Sequence, residues 1–245
     1  TSTQKDPSAN FPLPGTYTVT LTINGGGSAN LVSTQTIYVY PLPNPSIPLT
    51  KEGCAPFSTT ITADATPVVV PPFTIPPSSV GGITGGVAAT YTFDFLGDLP
   101  TVTQASPTLN LTNIPEGSYD VLLTVVDVNG GSKTIFKQAA IIVNPKPTAD
   151  FTFAKQSTCG LGNVTFSGIS TISSGSVVSY SWDIGNDGSI ESTNQNFTYN
   201  FTAAGTYDVK FTATSNNLCV SDPVIKQISF NPGNAIDFSF NGNCA

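Results

Sequence analysis

The side chains in this 245-residue chain that invite a chemical reading are four cysteines, Cys54, Cys159, Cys219 and Cys244, and one acidic run, Asp183, Asp187 and Glu191. Asp183, Asp187, Gly188 and Glu191 share part of the spacing of a calcium loop, but Gly185 stands where such a loop needs an oxygen ligand. Asn186-Asp187-Gly188 reads equally well as a hairpin turn. Calcium at Asp183, Asp187 and Glu191 is therefore the one cofactor considered, set against none at all. The chain has no His, which removes the commonest general base and the commonest transition-metal ligand together. It holds no GxSxG, HExxH or CxxC run and no phosphate-cradling loop. With eight Lys, no Arg and a net charge of −7, it lacks the basic surface that nucleic acid or an anionic membrane would require. No apolar run of about 18 residues is present to span a bilayer. These observations point away from an enzyme.

The elements that must position the cysteines and carboxylates come from a strand written three times: GTYTVTLTI from Gly15, GSYDVLLTV from Gly117 and GTYDVKFTA from Gly205. In each, the apolar side chains fall at every second position, which marks one buried and one wet face. A glycine lies two residues ahead of Tyr17, Tyr119 and Tyr207, where the chain turns a corner. A tyrosine at the start of a late strand, two residues before an inward position, is the corner pattern of immunoglobulin-like sandwiches. Val19, Val121 and Val209 occupy the place of an antibody domain's second core cysteine, so packing holds these sandwiches without that bond. Gly15, Gly117 and Gly205 lie 102 and 88 positions apart, one sandwich per repeat.

The expected fold is thus all-β, tandem immunoglobulin-like sandwiches arranged head to tail. Residues 1–41 supply the C-terminal part of a first domain. Residues 42–144 form a second, with a Pro/Gly-rich insertion at 68–86 that breaks any regular ladder. Residues 145–231 form a third, and 232–245 begin a fourth. Pro41, Pro43 and Pro45, and again Pro145 and Pro147, read as short stiff linkers. Trp182 is expected in the core of the third domain.

Tyr180-Ser181-Trp182-Asp183-Ile184-Gly185-Asn186-Asp187-Gly188, then Phe197-Thr198-Tyr199 and Ala204-Gly205-Thr206-Tyr207-Asp208-Val209, resemble the WDFGDG, HTY and PGTYTV signatures of polycystic kidney disease (PKD) domains. The resemblance covers the third domain throughout. The second departs from it at Phe93-Asp94-Phe95-Leu96-Gly97-Asp98, where phenylalanine replaces the tryptophan, and the first offers only Pro14-Gly15-Thr16-Tyr17. The resemblance implies an extracellular sandwich used as a spacer or interaction module. Tandem arrays with a cysteine before the second strand look like surface adhesins and gliding-motility proteins of Bacteroidetes-type bacteria.

Cys54, Cys159 and Cys244 share one site, just before the second strand of successive domains, whereas Cys219 lies in the last hairpin of the third. That turn and that hairpin sit at opposite ends of a sandwich, about 20 Å apart for strands of this length. A disulfide requires Cα atoms within about 7 Å. An inter-domain bond from Cys54 to Cys219 is therefore favoured; an intradomain Cys159–Cys219 bond and free thiols are the alternatives. Either bond implies a compartment outside the cytosol. Asn110, Asn163, Asn196 and Asn200 each open an Asn-x-Thr sequon, which in a bacterial protein reads as plain polar strand. The function expected is a non-catalytic extracellular stalk or adhesin segment of a large bacterial surface protein. The alternative is a polymer-binding or spacer module of a secreted hydrolase. Expected partners are neighbouring repeats, with a surface polysaccharide or self-association as further candidates.

Overall fold

The computed structural model describes residues 1–27, 29–66, 88–156 and 161–231. They fall into two compact units: one built from residues up to Glu52 and from Pro56 to Ile142, the other from Gly53–Ala55 and the residues from Val143 onward. The described residues hold strands and no helix, so none of them forms a helix long and apolar enough to cross a membrane.

In the first unit, β1 (Gly15–Ile23) and β2 (Leu31–Val39) form an antiparallel hairpin in unbroken register from Gly15↔Val39 to Ile23↔Leu31. Next come β3 (Asn44–Ser46), β4 (Lys51–Cys54), β5 (Phe57–Thr62) and β6 (Asp64–Thr66). Then follow β7 (Ala88–Asp94), β8 (Val102–Gln104), β9 (Thr108–Ile114), β10 (Gly117–Asp127) and β11 (Ser132–Asn144). They form a five-stranded sheet in the order β4-β11-β10-β7-β8 and the smaller pairs β5-β9 and β3-β6. Val121, Leu123, Val125 and Phe93 are fully buried, each at an inward position of its strand, and so is Phe95, just past the end of β7.

The second unit is a sandwich of two three-stranded sheets. One is β12-β13-β15, from β12 (Thr148–Lys155), β13 (Gly162–Thr171) and β15 (Asn196–Phe201); the other is β14-β16-β17, from β14 (Val177–Ile184), β16 (Gly205–Ser215) and β17 (Val224–Phe230). Their inner faces share an aromatic core of Phe151, Phe166, Trp182, Phe201 and Phe211. The Trp182 ring lies 4.2 Å from Phe211 and 5.1 Å from Phe151, centroid to centroid, and its Nε1 donates to the carbonyl of Asn194 at 2.8 Å. Burying the indole therefore leaves no polar atom unpaired. Gly168, on the inner face of β13, makes room for this cluster: a Cβ there would sit 2.6 Å from Phe211 Cζ and 2.8 Å from the Gln195 carbonyl.

The proline linkers need correction. Pro41, Pro43 and Pro45 are buried, and Pro45 lies within β3, where it pairs with Ala65. Pro145 and Pro147 are buried as well. A three-residue edge pairing tolerates the missing N–H, so Pro45 is part of an edge strand rather than of a linker. The strand at Val102–Gln104 had no sequence expectation; its backbone pairs with β7, and Thr92 and Thr103 hydroxyls meet at 2.8 Å. The insertion at 68–86 and the start of a fourth domain at 232–245 lie outside the described residues.

Candidate functional site

The tyrosine corners are alike in all three copies. The hydroxyls of Tyr17, Tyr119 and Tyr207 donate to the carbonyls of Leu13, Pro115 and Ala203 at 2.8, 2.9 and 2.9 Å, each four residues upstream. In the second copy the glycine two residues ahead is what lets the ring fold back, whereas a Cβ on Gly15 or Gly205 would meet the tyrosine ring at an ordinary 3.6 or 3.8 Å. A Cβ on Gly117, which has a φ of +155°, would lie 3.2 Å from the Tyr119 Cζ and hydroxyl. Burial, then the Asp98 carboxylate, pushes the Tyr119 phenol up from its ordinary value.

At its other end the tyrosine strand closes a hairpin, and there a polar residue at an inward position does the capping. Asp127 Oδ1 accepts from the amides of Asn129 at 2.9 Å and Gly131 at 2.8 Å. In the second unit Ser215 Oγ accepts from the amide of Cys219 at 3.1 Å, while the Ser215 amide donates to the Cys219 carbonyl at 2.9 Å. Both residues are buried. Their signal was legible in the sequence: each is a polar residue in register with an otherwise apolar row.

Cys219, held by that turn, is joined to Cys54, with Cα atoms 5.6 Å apart. Cys54 ends β4, and the three residues Gly53–Ala55 group with the second unit, so the bond lies inside that unit. Asn144 organises the surroundings. Its carbonyl accepts from the amide of Ala55 at 2.9 Å, and its side-chain oxygen accepts from Asn217 Nδ2 at 2.7 Å. Two residues on, Lys146 reaches Asp222 at 3.0 Å. Cys219 is fully buried. Asn144 and Asn217 drew no functional reading from sequence, because an asparagine beside a proline and one in a turn look like ordinary loop residues. Cys159 and Cys244 lie outside the described residues.

The three calcium candidates do not converge. Asp183, buried at the end of β14, accepts from the amides of Asp187 at 3.0 Å and Gly188 at 3.2 Å and lies 3.8 Å from Lys210 Nζ. Glu191 turns away from it to accept from the amide of Ile184 at 2.7 Å, and Asp187 accepts from the amide of Ser189 at 2.9 Å. Each carboxylate thus fixes backbone in the turn, with Gly185, Asn186 and Gly188 at positive φ supplying the bends. Among the described residues no three His, Cys, Asp or Glu side chains are grouped to hold a metal ion.

On the edge of the sandwich, Lys226 Nζ lies 2.7 Å from Asp150, above the Phe151 ring, and also donates to the Phe151 carbonyl. The Lys226 hydrogen bond, then the Phe151 amide, holds the Asp150 carboxyl below its ordinary value.

These corners, turns and the tryptophan-centred sandwich agree with a sequence comparison in which the family model described as PKD domain matches residues 144–226, wholly inside the second unit. The chain carries a PKD-type domain. The PKD1 domain of the Vibrio cholerae metalloprotease PrtV is 33% identical over 36% of this chain and 99% of its own, with a TM-score of 0.31. Fibronectin(III)-like modules of Clostridium thermocellum CbhA match at 17% identity over 81% of this chain and 100% of theirs, with a TM-score of 0.37. The three N-terminal domains of the bacteriophage RB49 highly immunogenic outer capsid protein (Hoc) match at 19% identity over 77% of this chain and 58% of theirs, with a TM-score of 0.29. None of the curated proteins matches the sequence.

Proposed function

We propose that this chain is a non-catalytic extracellular segment of a large bacterial cell-surface repeat protein, a stalk that serves adhesion and, in gliding cells, motility. The observation that carries the proposal is the threefold recurrence of one corner, Tyr17, Tyr119 and Tyr207 each tied to a carbonyl four residues back, in a chain that includes a PKD-type domain. A buried disulfide supports an oxidising compartment. An Arg-free surface with a net charge of −7 supports mutual repulsion between neighbouring stalks. The surroundings of Cys219, Asp183 and Asp150 are used to fix backbone, which is the work of a spacer.

The test is the intact mass and terminal peptides of the parent protein on its own cells, paired with a pull-down of this chain on insoluble polysaccharides. A parent of many hundreds of kilodaltons built of such repeats, with no polymer retention by this segment, is the expected result. A parent near a hundred kilodaltons with an attached catalytic domain, and retention on polymer, would replace the stalk with an accessory module of a secreted hydrolase.

A further inference from the structure

We infer that the Cys54–Cys219 bond is a force bypass: it removes the chain between those residues from the path along which tension runs and sets a hard limit on how far the protein can be stretched. The two cysteines are separated by 165 positions. When the ends of the chain are pulled, the covalent path runs from the residues before Cys54 through the two sulfurs to Cys219, and the backbone between them is no part of it. That loop includes β5 to β16, with the aromatic core residues Phe151, Phe166, Trp182 and Phe211. Neither unfolding nor weakening those strands can lengthen the molecule while the bond stands.

The segment after Cys219 has almost nothing to yield either. From Val220 to Phe230 it runs beside β16: Val220 bridges Thr214, Ser221 donates its amide to Ala213, and β17 pairs from Val224↔Phe211 to Phe230↔Gly205. A strand already rises about 3.3 Å per residue, close to the limit of an extended chain. Tension along it therefore gains little length, and its ladder has little mechanical reason to break. Among the described residues outside the loop, those that remain extensible lie before Cys54, above all in the β1–β2 hairpin, which opens by separating its two strands.

The bypass is also protected from chemistry. Cys219 is fully buried and Cys54 half-buried, so a thiolate reaches the Cys219 sulfur only after local opening. Release takes two electrons and two protons. A dithiol reductant supplies both as it closes to its own cyclic disulfide, leaving Cys54 and Cys219 as thiols.

The test is single-molecule extension of the whole chain held by its two ends, with Cys159 and Cys244 replaced by serine in every sample to prevent exchange. Oxidised chain is compared with chain reduced by a dithiol in denaturant, and with the double variant Cys54→Ser/Cys219→Ser. The expected result is a maximum extension about 550 Å shorter for the oxidised chain than for the other two. Equal extensions in all three would overturn the inference. The result does not depend on whether the variant folds, because an unfolded variant still extends to its full contour. The inference rests on the stalk reading only for its use. A locked chain from a parent that proves to be a hydrolase would keep the bypass and remove the stalk, and an unlocked chain would do the reverse.

Discussion

The β1–β2 and β16–β17 hairpins carry nearly the same pattern and meet opposite fates. Both are antiparallel, both begin at a glycine paired to the end of the partner strand, and both carry a tyrosine corner. Yet Val19, Leu21 and Ile23 are 44%, 61% and 55% exposed, whereas Val209, Phe211 and Ala213 at the matching positions are fully buried. The difference lies in what stands opposite. β16 has β14 at its side and the sheet β12-β13-β15 across from it, bringing Phe151, Val164 and Phe166 against its inner face. Among the described residues, β1 is paired with β2 alone. Alternation of apolar and polar residues marks which face a strand would bury. Burial itself, about 1.5–3 kcal/mol for each large aliphatic side chain, is realised only when a second sheet arrives.

Truncation at the matching positions Phe211 and Leu21 should give the largest contrast. Phe211→Ala is expected to cost about 3–5 kcal/mol, while Leu21→Ala stays within about 0.5 kcal/mol. Emission of Trp182, the one tryptophan in the chain, during urea unfolding reads Phe211→Ala in the second unit, and amide exchange of β1 and β2 reads Leu21→Ala in the first; equal losses at the two positions would sink the account. Next in size is Gly168→Ala, which sets a methyl 2.6 Å from Phe211 Cζ against the immovable Gln195 carbonyl and should cost about 1–3 kcal/mol by overpacking. Gly26→Ala, where nothing lies within 4 Å, controls for the methyl itself, though its φ of +53° adds local strain; its Trp182 transition should not move.

Smaller effects sharpen the comparison. Removing the corner hydroxyl by Tyr119→Phe or Tyr17→Phe deletes one hydrogen bond, worth about 1 kcal/mol where the bond is sheltered. Amide exchange of the strand that follows should therefore quicken more for Tyr119, which is buried, than for Tyr17, which is half-exposed. Tyr119 also predicts an alkaline limit. Because its folded phenol is pushed up, first by burial and then by Asp98, its neutral form contributes stability in full below the unfolded value of about 10. That contribution disappears as pH rises through the folded value, which tyrosinate absorbance of wild type against Tyr119→Phe would follow. The smallest effect is at the acid end. Asp150, held low by Lys226 and the Phe151 amide, adds stability above about 3.9 that is lost as pH falls through its folded value. Lys226→Gln should flatten that acid dependence in an NMR titration of the Asp150 carboxyl.

Much of the architecture was legible because it follows from local chemistry. The three tyrosine strands, their glycines and the fully buried Val121 and Val209 could be placed from period-two alternation alone, since the pleat gives successive side chains opposite faces. What escaped was decided by neighbours distant in sequence. Pro45 looked like linker because proline lacks a donor, and only its pairing with Ala65 makes it an edge strand. Asp183, Asp187 and Glu191 read either as calcium ligands or as part of a hairpin turn, because carboxylates at that spacing can converge or cap backbone. Which way each turns depended on the backbone amides of the folded turn.

Taken alone, the amino-acid sequence determined that this is an all-β chain of repeated sandwich strands, without histidine or arginine, and with a tyrosine corner at the start of each late strand. It also determined which residues would face inward, because that depends on nothing beyond the alternation of side chains along a pleated backbone. The tertiary structure decided which of those faces are covered, which carboxylates hold turns, and that Cys219 lies 5.6 Å from the Cα of Cys54. Those are distances between residues far apart along the chain, and such distances exist only once the sheets have closed.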